Sequence, residues 1–325
     1  MKPTKALMNM ARSASVPSAL AASFQLAVPS RTLRRDSAPS EGRVGRQAQN
    51  AMTQFVIRPM ESISDFKECV KLQETIWGPG FSETVPVAIL KVSQRLGGIA
   101  AGAYDEAGEL AGFVYGLTGL EDGRTVHWSD MLAVRPGLDG AGLGPRLKAY
   151  QRERLLSIGI DTVYWTFEPL ESRNAHVNFS KLGVIAREYA EDMYGDTTSP
   201  LHEGIGTDRL IALWLIRTDR VAARVAGDHG PDPEADRDAV PVFQLRTDQD
   251  IPLPGEPDLE MEARALLVPI PTSIQAVKAR SADAAMEWRR ATRATLSTYL
   301  GRGYQVHELY RRDSHSEYLL LNQGE

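Results

Sequence analysis

Three glycines at alternating positions, Gly140, Gly142 and Gly144, have the spacing that most directly indicates chemistry in this chain. They follow an apolar strand pattern and precede a helical one, with Pro145 in the first helical turn, where its missing N–H is tolerated. Glycine carries no Cβ, so backbone N–H groups can approach a ligand closely. Because a helix N-terminus also favours negative charge, we expect this loop to bind a phosphate or pyrophosphate.

Three kinds of phosphate-binding loop compete for this pattern. A P-loop requires Lys followed by Ser or Thr after the last glycine, and Pro145-Arg146 stands there instead. The dinucleotide fingerprint G-x-G-x-x-G is one residue longer than the spacing found here. The third kind, the pyrophosphate loop of the GNAT acyltransferases, follows a strand that ends in Val-x-Pro. The segments Val134-Arg-Pro136 and Gly142-Leu-Gly144 resemble it in type and spacing.

The residues after the loop helix resemble the same family in the same order. Thr162–Glu168 is an apolar run typical of a strand. The next segment contains Asn-Ala at Asn174, an aromatic residue at Phe179 and a closing Lys-Leu-Gly. The chain is therefore similar to the GNAT superfamily over about residues 53–216, and within it to an uncharacterised group of predicted acetyltransferases.

This resemblance implies a fold, a co-substrate and a reaction. The fold is α/β: a mixed, mostly antiparallel sheet with helices on both faces and a C-terminal extension. The fourth and fifth strands of such a sheet separate, and the thioester lies in the gap. The co-substrate is acetyl-CoA by default or a larger acyl-CoA such as succinyl-CoA, and a small amine or amino acid attacks it directly. The residues implied to bind acyl-CoA are Leu132, Val134, Asp139, Gly140, Ala141, Gly142, Leu143, Gly144, Pro145 and Asn174.

Acyl transfer to an amine also needs a group that takes the proton from the attacking nitrogen. The candidates are His127 and Asp130 on the strand before the loop, and Glu168 at the end of the next strand. Imidazole titrates near neutral pH without tuning, whereas a carboxylate needs its pKa raised by burial. Arg209 is a candidate substrate contact, with an ion pair as the alternative.

Two departures from the family pattern keep other functions open. Asp139 stands where the family has Arg or Gln, and Phe179 stands where many members have a Tyr that protonates the leaving thiolate. The main alternative is therefore a degenerate GNAT fold that senses CoA or serves as an interaction module. A nucleotide-dependent oxidoreductase is a weaker third option. In the tail, Arg289, Arg290 and Arg293 form either a solvated helix side or a clamp for a carboxylate.

Composition excludes several classes of protein. The chain has 325 residues, 42% of them hydrophobic, and a net charge of −5, which suits globular domains and argues against a general nucleic-acid surface. No run approaches the roughly 18 apolar residues that span a bilayer, so we expect no membrane association. With one cysteine, Cys69, and no close histidine spacing, we expect no metal. A cytoplasmic location is expected, and a homodimer stays open.

Four segments differ in pattern. Residues 1–51 contain only two acidic residues and are predicted not to order by themselves. They are either a transit-like leader or, as we favour, an over-extended start before Met52. Residues 52–217 are expected to form the acyl-CoA-binding domain, and 218–262 a Pro- and Gly-rich linker with a short strand at 240–245. Residues 263–325 are expected to form an α/β extension that packs on the sheet, with a Pro-containing edge strand at 265–271.

Apolar periodicity places the individual elements. Strands are predicted near 54–59, 98–105, 110–118, 124–134, 162–168, 184–190 and 208–216. Helices are predicted near 62–76 and 86–96, directly after the glycine loop, and near 173–182. In the tail, a helix near 283–301 is followed by two strands.

Overall fold

The computed structural model describes residues 55–138, 140–195, 204–228, 230, 238–248 and 250–324. The predicted leader at 1–51 and the candidate phosphate contact Asp139 lie outside these residues.

The strands are β1 (Val56–Pro59), β2 (Ile99–Tyr104), β3 (Leu110–Glu121), β4 (Arg124–Val134), β5 (Thr162–Phe167), β6 (Ile185–Ala190), β7 (Arg209–Leu215), β8 (Val240–Pro241), β9 (Leu245–Asp248), β10 (Ile251–Pro254), β11 (Ala265–Pro271), β12 (Tyr304–Arg311) and β13 (His315–Asn322). The helices are α1 (Ile63–Trp77), α2 (Val87–Arg95), α3 (Leu143–Ser157), α4 (Ser172–His176), α5 (Asp219–Val225), α6 (Ile274–Arg280) and α7 (Ala282–Gly301), and a π-helical turn at Val177–Lys181 continues α4.

Local sequence accounts for several element boundaries. Helix α1 begins with a capping box, in which the Ser62 hydroxyl accepts from the Asp65 N–H and the Asp65 carboxylate accepts from the Ser62 N–H. The turn between β3 and β4 places Asp122 and Gly123 at φ 48° and 78°, a conformation that matches the twist of paired strands. Helix α3 follows Gly142, which has left-handed backbone angles.

Among the described residues, eleven strands form one sheet in the order β1-β2-β3-β4-β5-β7-β6-β12-β13-β11-β8, and β9 pairs with β10 alone. Neighbouring strands are antiparallel except for β4 with β5 and β8 with β11. The predicted fold class is confirmed: the sheet is mixed and mostly antiparallel, and helices lie on both of its faces.

The helices divide the core between the two faces of the sheet. On one side, called the α1–α2 face, α1 and α2 pack on β2, β3 and β4 around Phe66, Leu90 and Met131. On the other side, called the α3–α4 face, Leu147 of α3 and Trp165 of β5 belong to the largest core cluster. Because side chains alternate along a strand, each strand contributes residues to both faces.

The C-terminal extension continues the sheet beyond β6. Strand β12 meets β6 at one register pair, Val306 with Ala186, and β13 joins β12 to β11. Helix α7 packs on β6, β11 and β12. The extension therefore lengthens the sheet at the β6 edge.

Two predictions about the second half of the chain differ from the structure. The predicted linker contains α5, the β8 strand and the β9–β10 hairpin within its described residues, because Val242 and Phe243 find buried positions despite the surrounding prolines. Strand β11 is paired on both sides and so is not an edge strand. The β8 ladder reaches only Leu266 and Leu267, so the prolines at 269 and 271 lie beyond it, where a missing N–H costs no ladder bond.

Candidate functional site

Strands β4 and β5 separate soon after they meet. Their parallel ladder contains two register pairs, His127 with Val163 and Trp128 with Tyr164. At the same level the β3–β4 ladder shifts register, so that Ser129 and Asp130 together oppose a single β3 residue. A bulge of this kind bends the strand and redirects its side chains. The predicted gap between the fourth and fifth strands is therefore present, and Asp130 stands at its base.

Asp130 is a buried carboxyl group on the α1–α2 face. Its side chain is 2% exposed, and its Oδ1 atom has no hydrogen-bond partner among the described residues. Burial raises the pKa of Asp130 to about 7. Its charge in turn contributes, after burial, to the raised pKa of Tyr115, whose hydroxyl lies 2.8 Å from Ser93 of α2. A carboxyl group that titrates near neutral pH can accept a proton under physiological conditions.

His127 points to the opposite face and is fully buried. The Thr118 hydroxyl donates to the Gly97 carbonyl at 2.8 Å, so it accepts from His127 Nδ1 at 3.1 Å. His127 Nε2 then accepts from the Gln151 amide at 3.1 Å. Burial, and after it the nearby Lys148, lower the pKa of His127 to about 3. His127 is therefore a neutral imidazole whose two nitrogens are both engaged.

Lys148 of α3 reaches the base of the gap from the α3–α4 face. Its Nζ donates to Ser129 Oγ at 2.8 Å and to Gln151 Oε1 at 3.1 Å, and it lies 3.7 Å from the centroid of the Trp165 ring. The side chain is 1% exposed, and burial lowers its pKa well below the usual value for lysine. Lys148 thus links β4 to β5 where their ladder ends. The sequence pattern does not indicate this role, because a lysine on a helix is usually solvated.

The glycine loop lies at the far end of β4 and leads into α3. Gly140 and Gly142 have φ of 87° and 70°, and among the described residues no atom outside their immediate chain neighbours lies within 4 Å of the position that a Cβ would occupy at either residue. Gly142 is the N-cap of α3 and forms no side-chain cap. Of the other predicted contacts, Leu132 and Leu143 are buried in the core. Val134 is the last residue of β4, Ala141 lies in the turn, and Gly144 and Pro145 belong to the first turn of α3. An open turn before an uncapped helix fits a pyrophosphate group.

Asn174 lies in α4 beside Asn178, a residue that the sequence pattern does not single out. The Asn178 amide donates to Asn174 Oδ1 at 3.4 Å, and Asn178 Oδ1 accepts from the Trp165 indole at 3.3 Å. Asn178 belongs to the π-helical turn, which is often found at functional sites. These contacts run from α4 to Trp165 and so to Lys148 along the α3–α4 face. Phe179 packs edge-to-face with Phe167 and Tyr318, its ring centroid 5.9 Å and 5.7 Å from theirs.

Glu168 forms a buried ion cluster with residues from the end of β5, the start of β7 and α7. Its Oε2 lies 2.5 Å from Arg289 and 3.6 Å from Arg209, and its Oε1 accepts from the Leu170 N–H at 3.0 Å. Asp208 lies 3.8 Å from Arg289. All four charged side chains are at most 1% exposed. In this cluster two carboxylates face two guanidinium groups, so the charges balance.

Arg209 and Arg293 extend this cluster towards the β6–β7 loop. Arg209 lies over the Tyr194 ring at 4.9 Å and donates to the Asp208 carbonyl at 2.8 Å. Arg293 pairs with Asp208 at 2.6 Å and with Asp192 at 3.1 Å. The contact of Arg209 with Glu168 corresponds to the ion pair considered as the alternative role for Arg209. Two of the three tail arginines, Arg289 and Arg293, are also engaged in ion pairs. Arg290 is exposed.

Two further properties of the structure concern membranes and metals. Among the described residues, no helix combines the length and apolarity needed to cross a membrane. Within the same part of the chain, no group of three or more His, Cys, Asp or Glu side chains could hold a metal ion.

No protein-family model and no curated protein sequence matches the chain. Its structure is similar over about half its length to solved acetyltransferase structures. A structure of the NatC complex bound to Gag peptide and CoA is 16% identical, with a TM-score of 0.41, covering 50% of this chain and 98% of that one. An acetyltransferase of the GNAT family from Streptococcus pneumoniae is 15% identical, with a TM-score of 0.40, covering 49% and 98%. Aminoglycoside 6'-acetyltransferase type Ii is 18% identical, with a TM-score of 0.41, covering 50% and 98%.

Proposed function

We propose that this protein is an acyl-CoA-dependent N-acyltransferase that acts on a small amine or amino acid. Acetyl-CoA is the expected donor, as the family resemblance implies, and the amine attacks the thioester directly. The observation that carries the proposal is Asp130. It is a buried carboxyl group with an unpartnered Oδ1 and a pKa of about 7, located where β4 and β5 separate.

The proton transfer follows from the environment of each candidate base. Asp130 accepts the proton that the acceptor nitrogen loses as its bond to the acyl carbon forms and the carbon–sulfur bond breaks. His127 is a weaker candidate, because both of its nitrogens are engaged and its pKa is about 3. Glu168 is also weaker, because Arg209 and Arg289 already hold its carboxylate. Phe179 has no proton to give, so in this proposal the thiolate leaves into solvent or takes its proton from water.

The residues available on the α3–α4 side fit acyl-CoA, which supplies the activated acyl group. The turn from Gly140 to Gly144 would hold the pyrophosphate through backbone N–H groups, since open space lies above Gly140 and Gly142. Asn174 would contact the pantetheine arm. Leu132 and Val134 belong to the strand whose backbone would face the thioester carbonyl.

Two measurements test this function. Calorimetric titration should show binding of CoA and acetyl-CoA and no comparable binding of NAD(P). Release of free thiol from acetyl-CoA across a panel of amines should exceed the rate of hydrolysis without amine. If CoA does not bind, the proposal is wrong. If CoA binds but no amine releases thiol, the protein is a CoA sensor or an interaction module.

A further inference from the structure

A row of apolar side chains crosses four strands on the α1–α2 face next to Asp130. The register pairs Leu117 with Trp128, Trp128 with Tyr164, and Tyr164 with Leu213. The neighbouring residues Val163 and Trp165 on β5, and Ala212 and Trp214 on β7, belong to the core of the α3–α4 face. Because side chains alternate, Tyr164 and Leu213 point to the opposite face, and their register partners share it.

This row, called the Trp128 row below, is only half-buried. Leu117, Trp128, Tyr164 and Leu213 are each of intermediate exposure, whereas their α3–α4-face neighbours are fully buried. Helices α1 and α2 pack on β2, β3 and β4 beside the row, whereas the buried side of α7 belongs to the core of the α3–α4 face. The row is therefore a half-exposed apolar strip of the sheet beside α1 and α2.

Two acidic groups lie beside this row. Glu121 accepts a hydrogen bond from the Tyr164 hydroxyl at 2.9 Å, and the exposed Glu188 pairs in register with Ile211 of β7. Burial and the Glu121 contact raise the pKa of Tyr164 to about 12, and Glu188 adds to the effect. Arg187 opposes it, but its Nε donates to Gln305 at 2.9 Å. A row with two aromatic rings and carboxylates at its margins favours a cationic ligand with an apolar body.

We propose that the Trp128 row binds the acceptor, and that the acceptor is a primary amine carrying an aromatic or branched apolar group. The apolar group lies on Trp128, Tyr164 and Leu213, and the nitrogen is directed at Asp130. Amines that carry additional carboxylates are rejected by Glu121 and Glu188. This inference rests on the proposed acyltransferase function and adds its substrate class.

The test compares acceptors of opposite chemistry at saturating acetyl-CoA. Phenethylamine and isopentylamine should give a kcat/KM about 100-fold or more above that of glutamate, the discrimination available when an apolar group fills a matching site and a charge is rejected. Leu213→Lys places a positive charge on the row. It should raise KM for phenethylamine about tenfold or more and narrow its advantage over glutamate, with kcat and CoA affinity nearly unchanged.

A matched variant separates this effect from a general change of surface charge. Ile89 of α2 is also apolar, 48% exposed and remote from the row in sequence, so Ile89→Lys should leave both acceptors unaffected. The substrate assignment is overturned if the unaltered protein prefers glutamate, or if Leu213→Lys leaves the preference unchanged while thiol release continues.

A binding measurement that does not depend on turnover distinguishes the acceptor assignment from the acyltransferase function. Calorimetry of phenethylamine against the CoA-loaded protein should show binding that weakens about tenfold in Leu213→Lys. Amine binding without any thiol release would support the row and overturn the acyltransferase. If CoA binds and other amines are turned over but phenethylamine does not bind, the acyltransferase function is supported and the Trp128 row is overturned as the acceptor site.

Discussion

Lys148 donates a 2.8 Å hydrogen bond to Ser129 at the level where the β4–β5 ladder ends. The same amine lies over the Trp165 ring of β5. One side chain from α3 therefore spans the two strands just as they diverge, and it does so fully buried. This arrangement has a measurable cost, because burial disfavours the charged form of Lys148, which the unfolded chain carries in water.

Replacing Lys148 by Met should stabilise the protein at neutral pH. The folded-state pKa of Lys148 is lowered by burial, so below the unfolded pKa of about 10.4 the unfolded state binds more protons and the folded state loses stability as pH falls. Lys148→Met removes this loss and should raise the free energy of unfolding by about 1–4 kcal/mol, the range for replacing a buried ionic group by an apolar one. Denaturant unfolding at pH 7 and pH 9.5 should show the gain shrinking as pH rises.

The control for this change is Lys91→Met, since Lys91 of α2 is exposed. Its effect should stay within about 0.5 kcal/mol, as for most surface substitutions. A Lys148→Met protein that is less stable than the parent at pH 7 would show that the hydrogen bonds to Ser129 and Gln151 outweigh the cost of burial.

Gly142→Ala should weaken CoA binding while a matched glycine change does not. Gly142 and Gly159 stand at opposite ends of α3, at φ of 70° and 84°, and both have open space at the Cβ position. Each alanine should therefore cost a similar roughly 1–2 kcal/mol of stability, the price of a left-handed conformation. Only Gly142→Ala should also weaken CoA, by about 1–3 kcal/mol in calorimetry, through disturbed bonds to the phosphate. Equal CoA affinity in the two variants would remove the loop from the site.

The pH profile of acyl transfer should report Asp130. Since the pKa of Asp130 is about 7, kcat/KM should rise as pH increases through 7 and then level off. Asp130→Asn should abolish this limb and lower the rate about 10²–10⁴-fold. His127→Gln should keep the limb, because the pKa of His127 is about 3. If Asp130→Asn instead keeps the normal pH profile of kcat/KM and His127→Gln gives a flat one, His127 is the general base.

His127 should instead govern stability in acid. Its pKa is about 3 in the folded protein and near 6.5 when unfolded, so between these values the unfolded state binds one more proton. Its contribution to stability should therefore fall with decreasing pH by about 1.4 kcal/mol per pH unit in that window. Denaturant unfolding from pH 7 to pH 4 should give a shallower dependence for His127→Gln, which cannot titrate. Identical slopes would show that the imidazole is not held neutral.

Arg289→Met should destabilise the protein strongly. Arg289 lies 2.5 Å from Glu168, and removing it leaves that buried carboxylate with only Arg209, 3.6 Å away, while Asp208 keeps Arg293. The expected loss is about 3–5 kcal/mol, measured as the free energy of unfolding. Arg290→Met, one residue along α7 and exposed, should change it by no more than about 0.5 kcal/mol. Similar effects of both changes would contradict a role for the buried cluster.

The local features of the site could be predicted from sequence because they depend on neighbouring residues. The glycine spacing determined the turn before α3, and apolar periodicity located β4 and β5. The protonation state of His127 could not be predicted in this way, because it depends on Gln151 and Lys148 reaching it from a helix. Asn178 was missed because the π-helical turn changes the helical spacing after Asn174.

Local sequence patterns also could not predict contacts between segments that are far apart in the chain. Glu168 and Arg289 are 121 positions apart, and each has an ordinary solvent-exposed interpretation when read alone. The elements of the tail were predicted near their observed positions, since α7 and β12 have clear periodicity. Their placement beside β6 depends on the pairing of Val306 with Ala186, which no local pattern specifies.

Strand β6 pairs with β12 of the C-terminal extension at a single register position, and this limits where the chain can be truncated. Without residues 263–325, β6 would become a bare outer strand with unpaired backbone groups, a template for aggregation. The same cut would remove Arg289 and leave Glu168 buried beside Arg209 alone in the cluster. Residues 52–217 are therefore expected to unfold or aggregate when they are separated from residues 263–325, because one sheet and one buried ion cluster span both segments.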